Sequence, residues 1–418
     1  MRPPNALYAQ SGGVTAVINA SACGVIEAAR RHPDRIATVI AARNGILGVL
    51  SETLVDTSDY RTDQLIGMRN TPGGIFGSCR FDLDDEHDNP AQYQRIFDVL
   101  AAHRIGFLFY NGGNGSMHTA RQLAESAQRR AYPLTVVGVP KTVDNDILET
   151  DCCPGYGSAI KYLATSMREA AIDLASMRSR RGRVFVLEVM GRNAGWLAAG
   201  CGLAADRHDA APHVVLLPEV AFDEAKVLAA VKGCVERLGF CAIAVAEGIR
   251  GPDGRPLAQV ATDSAGYVQL GGAGAVVAAR ISASLGYKVH HAIGDYLQRA
   301  ARHLASATDD AQAHAVGVFA VEAALSGESG VCTAIRRTSS RPYCWHVDTV
   351  PLERVANLER TLPREFVRED GLHVSEAFRT WALPLISGEC LPGFRDGLPR
   401  YWQPRLSEMP RRLPAYSS

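Results

Sequence analysis

Strand-length apolar runs recur along this chain, at residues 6–9, 36–42, 106–110, 134–139, 183–189, 213–217 and 241–246, and helical patterns lie between most of them. In residues 15–31, Ile18, Ala22, Val25, Ile26 and Ala29 return at three-to-four spacing, which marks one face of a helix. Runs that are apolar throughout read as strands buried on both faces. Their alternation with helices predicts mostly parallel sheets covered on each side by helices. The expected fold class is α/β, with two Rossmann-like, three-layer lobes. No low-complexity tract or linker interrupts the alternation, so the lobes should lie in close contact. From residue 351 onward the Pro- and Arg-rich sequence, with Trp381 and Trp402, loses its period and reads as an irregular extension wrapping the body.

Polar turns end three of these runs. Residues 6–9 lead into Gln10-Ser11-Gly12-Gly13 and a helix, and residues 106–110 lead into Asn111-Gly112-Gly113-Asn114-Gly115-Ser116 and a helical stretch at 119–130. Strand, Gly-Gly turn and helix start together make an anion site, because free backbone N–H groups and the positive end of the helix dipole point the same way. The third run ends at Pro140 and continues Lys141-Thr142-Val143-Asp144-Asn145-Asp146, placing a cation, a hydroxyl and two carboxylates close together. Strand carboxyl ends are where open α/β sheets bind ligands. Each turn has a plainer reading as tight-turn or helix-cap chemistry. Three at strand ends point to binding a polyanion and removing a proton. Neither glycine turn is a Walker A loop or a dinucleotide fingerprint.

Taken together, Ser11-Gly12-Gly13, Thr71-Pro72-Gly73-Gly74-Ile75-Phe76-Gly77-Ser78-Cys79-Arg80, Gly112-Gly113-Asn114-Gly115-Ser116, Pro140-Lys141-Thr142-Val143-Asp144-Asn145-Asp146 and Met190-Gly191-Arg192 resemble the phosphofructokinase family. The resemblance runs over most of the chain, in the family's order and approximate spacing. It is closest to the short bacterial pyrophosphate-dependent branch, where Lys precedes the Thr-Val-Asp triplet and a segment like Tyr296-Leu297-Gln298-Arg299 follows. What this implies is magnesium-dependent phosphoryl transfer from pyrophosphate to the 1-hydroxyl of fructose 6-phosphate, giving fructose 1,6-bisphosphate and phosphate. It also implies a phosphofructokinase-like division into a donor and catalytic lobe (residues 1–153 and 295–345), a fructose 6-phosphate lobe (154–294) and a C-terminal extension (346–418).

Such a transfer needs neutralised phosphates, a placed acceptor and a base near the hydroxyl proton. Asp144 is the candidate base. Thr142 can orient a phosphoryl oxygen, Asp146 can act on magnesium or hold the base, and Lys141 brings positive charge to the leaving phosphate. By resemblance, Gly12, Gly13, Arg80, Gly113, Gly115 and Ser116 bind the donor, and Asn114 joins Asp146 at the metal. Acceptor contacts are implied at Met190, Gly191, Arg192 and Glu247, with Tyr296 and Arg299 around the 6-phosphate. Arg183 and His290, the latter where many relatives carry Arg, are implied to cross a subunit interface into the neighbour's site. That makes a homodimer or homotetramer with shared sites. Each has a bland alternative: a surface ion pair for Arg192, an unremarkable strand end for Glu247, solvated charges for Arg183 and His290. The segment Gly266-Tyr267-Val268-Gln269-Leu270-Gly271-Gly272 echoes another form of the phosphate motif without its His and Arg, and reads as a structural turn.

The donor is the open point. Gly115 stands where pyrophosphate-dependent relatives usually carry Asp, whose carboxylate takes the space and charge of the ATP α-phosphate. ATP-using relatives of the longer branch also combine Gly and Lys at these two places, normally with Asp where this chain has Asn114. Pyrophosphate is the expected donor and ATP the alternative. A non-catalytic regulatory subunit would be expected to have lost some of Asp144, Asp146, Arg192 and Arg299. A nicotinamide dinucleotide or lipid kinase would not be expected to carry the sugar-phosphate motifs. The 44 basic and 44 acidic residues balance, which gives no global attraction to nucleic acid or membrane. No apolar stretch has signal-peptide or membrane length, so a cytoplasmic location is expected. The ten cysteines include no Cys-x-x-Cys pair, which suggests buried free thiols and neither a zinc site nor a redox dithiol.

Overall fold

The computed structural model describes residues 2–178, 181–207, 209–262 and 268–416. The first lobe is built from β1 (Asn5–Gln10), α1 (Ile18–Arg30), β2 (Val39–Ala42), α2 (Ile46–Leu50), β3 (Leu54–Asp56), α3 (Thr62–Arg69), α4 (Pro90–Ala102), β4 (Ile105–Gly112), α5 (Asn114–Arg129) and β5 (Thr135–Pro140). Helix α6 (Tyr156–Ser176) leads into β6 (Arg183–Val189), α7 (Trp196–Cys201), β7 (Val214–Leu216), α8 (Glu224–Leu238), β8 (Cys241–Ala246), β9 (Gln259–Thr262), β10 (Val268–Leu270), α9 (Ala273–Leu285) and β11 (Lys288–Ile293). The chain returns through α10 (Asp295–Ala300) and α11 (Ala307–Leu325) to β12 (Val331–Ser340) and β13 (Tyr343–Pro351), and the closing stretch adds α12 (Glu376–Ala382).

The first sheet has seven strands in the order β13-β12-β5-β4-β1-β2-β3, parallel except for the antiparallel edges β13 and β3. The second is the parallel sheet β11-β6-β8-β7. Register is what brings the polar turns together. Gln10 lies opposite Asn111 and Gly112 opposite Pro140, so the turns after β1, β4 and β5 emerge side by side. In the second sheet Val189 lies opposite Ala246, which sets the Met190 turn beside Glu247.

Strands β1, β5 and β8 are buried along almost their whole length, as their continuous apolar runs require. Helices α1 and α11 cross in direct backbone contact on this lobe. A Cβ on Gly24 would fall 2.3 Å from His314 O and one on Gly317 2.2 Å from Ser21 O, so glycine alone permits the approach. The edge strand β11 is different. It is polar and mostly exposed, and no apolar run announces it. Strand β13 crosses the 345/346 boundary expected from the sequence, because it pairs with β12 as a hairpin. Of the Gly266–Gly272 turn, Gly266 and Tyr267 lie outside the described residues. The remainder forms β10 and then Gly271 and Gly272, both at positive φ, before α9.

The stretch after β13 packs against earlier parts of the chain. Trp381 joins Tyr156, Trp196, Phe366 and Phe378 in one aromatic cluster, with centroids 5.2–5.9 Å from the Trp381 ring. Such pairs contribute about 0.5–1.5 kcal/mol each beyond their buried area. Trp402 meets Tyr60 edge-on at 5.5 Å. All ten cysteines are free, and only Cys344 is exposed. One grouping that spacing does not reveal is His213, Cys234 and Cys241, whose ligating atoms lie within 4.8 Å of one another. The Nδ1 of His213 accepts the Ala242 N–H, and no fourth ligand joins the trio among the described residues. Among the same residues no helix is long and apolar enough to cross a membrane.

Candidate active site

The expected donor side is assembled from backbone. Gly12 has φ +78 and donates its N–H to Cys79 O, Ser11 Oγ donates to the same carbonyl, and Ser78 Oγ donates to Gly12 O. The Ser11 turn and the 71–80 loop are thereby one unit. Asn19 on α1 holds the far end of that loop, donating to Thr71 O and Gly73 O and accepting from Ile75 N. Opposite, Gly113 caps α5, which begins at Asn114 and not at residue 119 as the periodicity suggested. The first turn of that helix is Asn114-Gly115-Ser116, whose polar residues hid the start.

Lys141 lies beneath both turns. Its Nζ is buried and donates to Ser11 O at 2.8 Å and Gly13 O at 2.6 Å. An ammonium has three donors, so these two bonds leave one N–H over. Burial lowers its pKa to about 8, against the opposing pull of Asp144 and Asp146. Arg299 also comes to this side: its Nη1 would be 2.8 Å from a Cβ on Gly13, and its ring partner is Tyr296 at 4.2 Å.

Beyond Lys141 the loop turns back on itself. Thr142 Oγ1 accepts the Asp144 N–H at 3.1 Å, which leaves the hydroxyl proton to be donated outward. Asn145 takes φ +56, and its Oδ1 accepts from Cys153 N. This left-handed step, tolerable for Asn, turns the chain between the two aspartates. Burial pushes the pKa of Asp144 up, and the negative charge of Glu247 pushes it further, while Arg192 and Lys141 oppose the rise. Asp146 is raised by burial and then by Asp144. The pair is therefore held above the ordinary carboxylate range, where a base can take a proton near neutral pH. Asn114 Nδ2 donates to Asp146 Oδ2 at 2.9 Å, whereas its own Oδ1 is buried without a partner among the described residues.

The expected acceptor side comes from the second sheet. After β6, Gly191 has φ +138 and Arg192 φ +51, a conformation that costs a side-chain-bearing residue ~1–2 kcal/mol. Glu247 offsets this, accepting Gly191 N and Arg192 N on one carboxylate oxygen at 3.2 and 2.9 Å. Glu247 thus shapes the turn that presents Arg192 to Asp144. Gln298 on α10 is buried and accepts from Met190 N at 3.4 Å, so the Tyr296 to Arg299 segment abuts the same turn.

Two expected residues are not brought to this site within one chain. Arg183 begins β6, at the end opposite Val189, a separation of ~20 Å at about 3.3 Å per residue. His290 lies exposed on the edge strand β11. Three supports were not apparent in the sequence. Glu188, buried on β6, accepts from Gly272 N and Gly274 N. Asp309 accepts from Gly155 N and Ser158 N. Arg360, in the C-terminal extension, donates to Asn145 O and Thr150 O, and its own N–H bonds Asp146 O. Its guanidinium also stacks over Trp196 at 4.6 Å. These contacts lie hundreds of residues apart in places, and no local pattern signals them.

The family model described as phosphofructokinase matches residues 5–324. The pyrophosphate–fructose 6-phosphate 1-phosphotransferase of Halomonas elongata is 50% identical over 417 residues, covering 100% of both chains. That of Methylococcus capsulatus is 50% identical over 99% of both. Among solved structures, the pyrophosphate-dependent phosphofructokinase of Nitrosospira multiformis superposes with a TM-score of 0.92 at 45% identity, covering 99% of this chain and 100% of that one. The chain belongs to the phosphofructokinase family.

Proposed function

We propose that this enzyme transfers a phosphoryl group from pyrophosphate to the 1-hydroxyl of fructose 6-phosphate, yielding fructose 1,6-bisphosphate and phosphate. The carrying observation is that α10 touches both halves of the site, Gln298 accepting from Met190 N in the second-sheet turn and Arg299 lying against Gly13 in the first, with Lys141, Arg192 and Glu247 all acting on the charge of Asp144. Donor phosphates rest on the Gly12–Gly13 and Gly113–Ser116 turns, with Arg80 and the remaining N–H of Lys141 neutralising charge. Asp144 accepts the hydroxyl proton, and the Arg192 fork stabilises the transferring group. Met190 and Gly191 with Arg192, Glu247, Tyr296 and Arg299 hold the sugar phosphate, and Thr142 orients a phosphoryl oxygen.

Family phosphoryl transfer generally uses a divalent metal. The buried Asn114 Oδ1, without a partner among the described residues and beside the Asp146 carboxylate, fits an oxygen-liganded ion such as magnesium. When bound, the ion would supply further charge neutralisation on the phosphates. The division into donor lobe, acceptor lobe and C-terminal extension belongs to the same proposal, as does a cytoplasmic location. Arg183 and His290 act in a neighbouring subunit's site, which accounts for an exposed, unpaired β11 edge in the single chain. The test is ³¹P NMR of enzyme, magnesium, pyrophosphate and fructose 6-phosphate. One bisphosphate should form per pyrophosphate consumed; no sugar-dependent loss of pyrophosphate overturns the proposal.

A further inference from the structure

Gly115 offers no side chain at the mouth of the donor site, so by itself it neither crowds nor repels a longer polyphosphate. The fold fills that place from elsewhere. A Cβ set on Gly115 would lie 3.5 Å from Asp82 Oδ1, the nearest atom contributed by another part of the chain. Asp82 follows Arg80 by two residues, in the stretch that leaves the 71–80 loop tied to Gly12. One short loop therefore carries Arg80, whose charge reaches Lys141 and Asp144, and Asp82, whose carboxylate lies beside Gly115.

We propose that Asp82 is the specificity-determining residue of the donor site, its carboxylate standing over Gly115 to admit two linked phosphates and oppose a third with a nucleoside attached. The inference rests on the donor-site assignment above and deepens it. A two-phosphate donor is satisfied by the Gly12–Gly13 turn, Lys141, Arg80 and the start of α5. A nucleoside triphosphate must continue outward past Gly115, where its next phosphate meets the Asp82 carboxylate in both space and charge. A carboxylate near an oxyanion opposes binding at any separation of a few ångströms, and less so as salt rises.

The geometry also makes the two positions interchangeable. If the guard is a carboxylate at one point in space, its source should not matter. The experiment compares wild type, Asp82→Ala, and the double variant Asp82→Ala with Gly115→Asp, measuring kcat/KM for ATP and for pyrophosphate with fructose 6-phosphate and magnesium. Asp82→Ala should raise the ATP-to-pyrophosphate ratio at least tenfold, and adding Gly115→Asp should return it to within threefold of wild type. The same rise in Asp82→Asn, which keeps the volume, would assign the effect to charge. A ratio unmoved in both Asp82 variants, in a wild type that uses pyrophosphate, overturns this inference alone. A wild type that turns over ATP and not pyrophosphate overturns the donor assignment instead.

Discussion

Asp144→Asn should destroy turnover and stabilise the fold at the same time, and the two effects share one cause. Burial lifts the Asp144 pKa from an ordinary 3.8 to about 6, so at neutral pH the folded protein holds an ionised carboxylate that burial disfavours. The unfolded chain solvates it freely. Because the folded pKa lies above the unfolded one, the charge opposes folding above pH 6 and ceases to matter once both states are protonated, below about pH 4. At ~1.4 kcal/mol per pK unit the shift corresponds to about 3 kcal/mol as an upper bound, and relaxation and solvent around the site reduce what Asn recovers to about 1–3 kcal/mol. Spread over the unfolding entropy of a chain this long, that is a melting-temperature rise of only ~1–3 °C. Scanning calorimetry at pH 8 should show the rise, and a repeat near pH 4 should not. Steady-state kinetics should show turnover reduced ~10²- to 10⁴-fold, the range for a lost general base. A folded Asp144→Asn protein with turnover within tenfold of wild type would refute the role. An unchanged melting temperature at pH 8 would refute the electrostatic argument.

Other outcomes follow from neighbouring residues. The pH profile of kcat/KM should be bell-shaped: burial raises Asp144 to about 6 and lowers Lys141 to about 8, so activity falls below the first as the base takes a proton and above the second as the cation loses one. Lys141→Arg should move the alkaline limb upward, and a profile flat from pH 5 to 9 would contradict both assignments. Arg360→Met removes charge-assisted bonds worth ~1.5–3 kcal/mol each from the carbonyls of the Asp144 loop. Its kcat should fall at least tenfold with a smaller change in KM; a KM effect alone would show that Arg360 does not order the base. Arg299→Ala should weaken fructose 6-phosphate, and because the guanidinium also lies against Gly13 it should raise the pyrophosphate KM as well. An unchanged sugar-phosphate KM would remove Arg299 from the acceptor site.

What the sequence disclosed followed its strongest local signals. The apolar runs of β1, β4, β5, β6, β7 and β8 were legible because burial on both faces leaves few polar interruptions, Glu188 on β6 being one. The polar turns were legible because they follow those runs directly. Strand β11 was not legible, since an exposed edge has no hydrophobic period to read. The β12–β13 hairpin was hidden for a related reason, as polar residues alternate along its outer half. The start of α5 was displaced because Asn114 and Gly115 are poor helix formers held there by position. Arg360 and Asp82 are a different kind of miss. Their importance lies in which loop they meet, at Asn145 and Gly115, and only the folded chain brings those partners together.

The central claim is the choice of donor. It is tested most directly by kcat/KM for pyrophosphate and for ATP, measured side by side on the unmodified protein with saturating fructose 6-phosphate and magnesium. The account predicts efficient turnover with pyrophosphate and an ATP value at least a hundredfold lower. Robust turnover with ATP and none with pyrophosphate would contradict it.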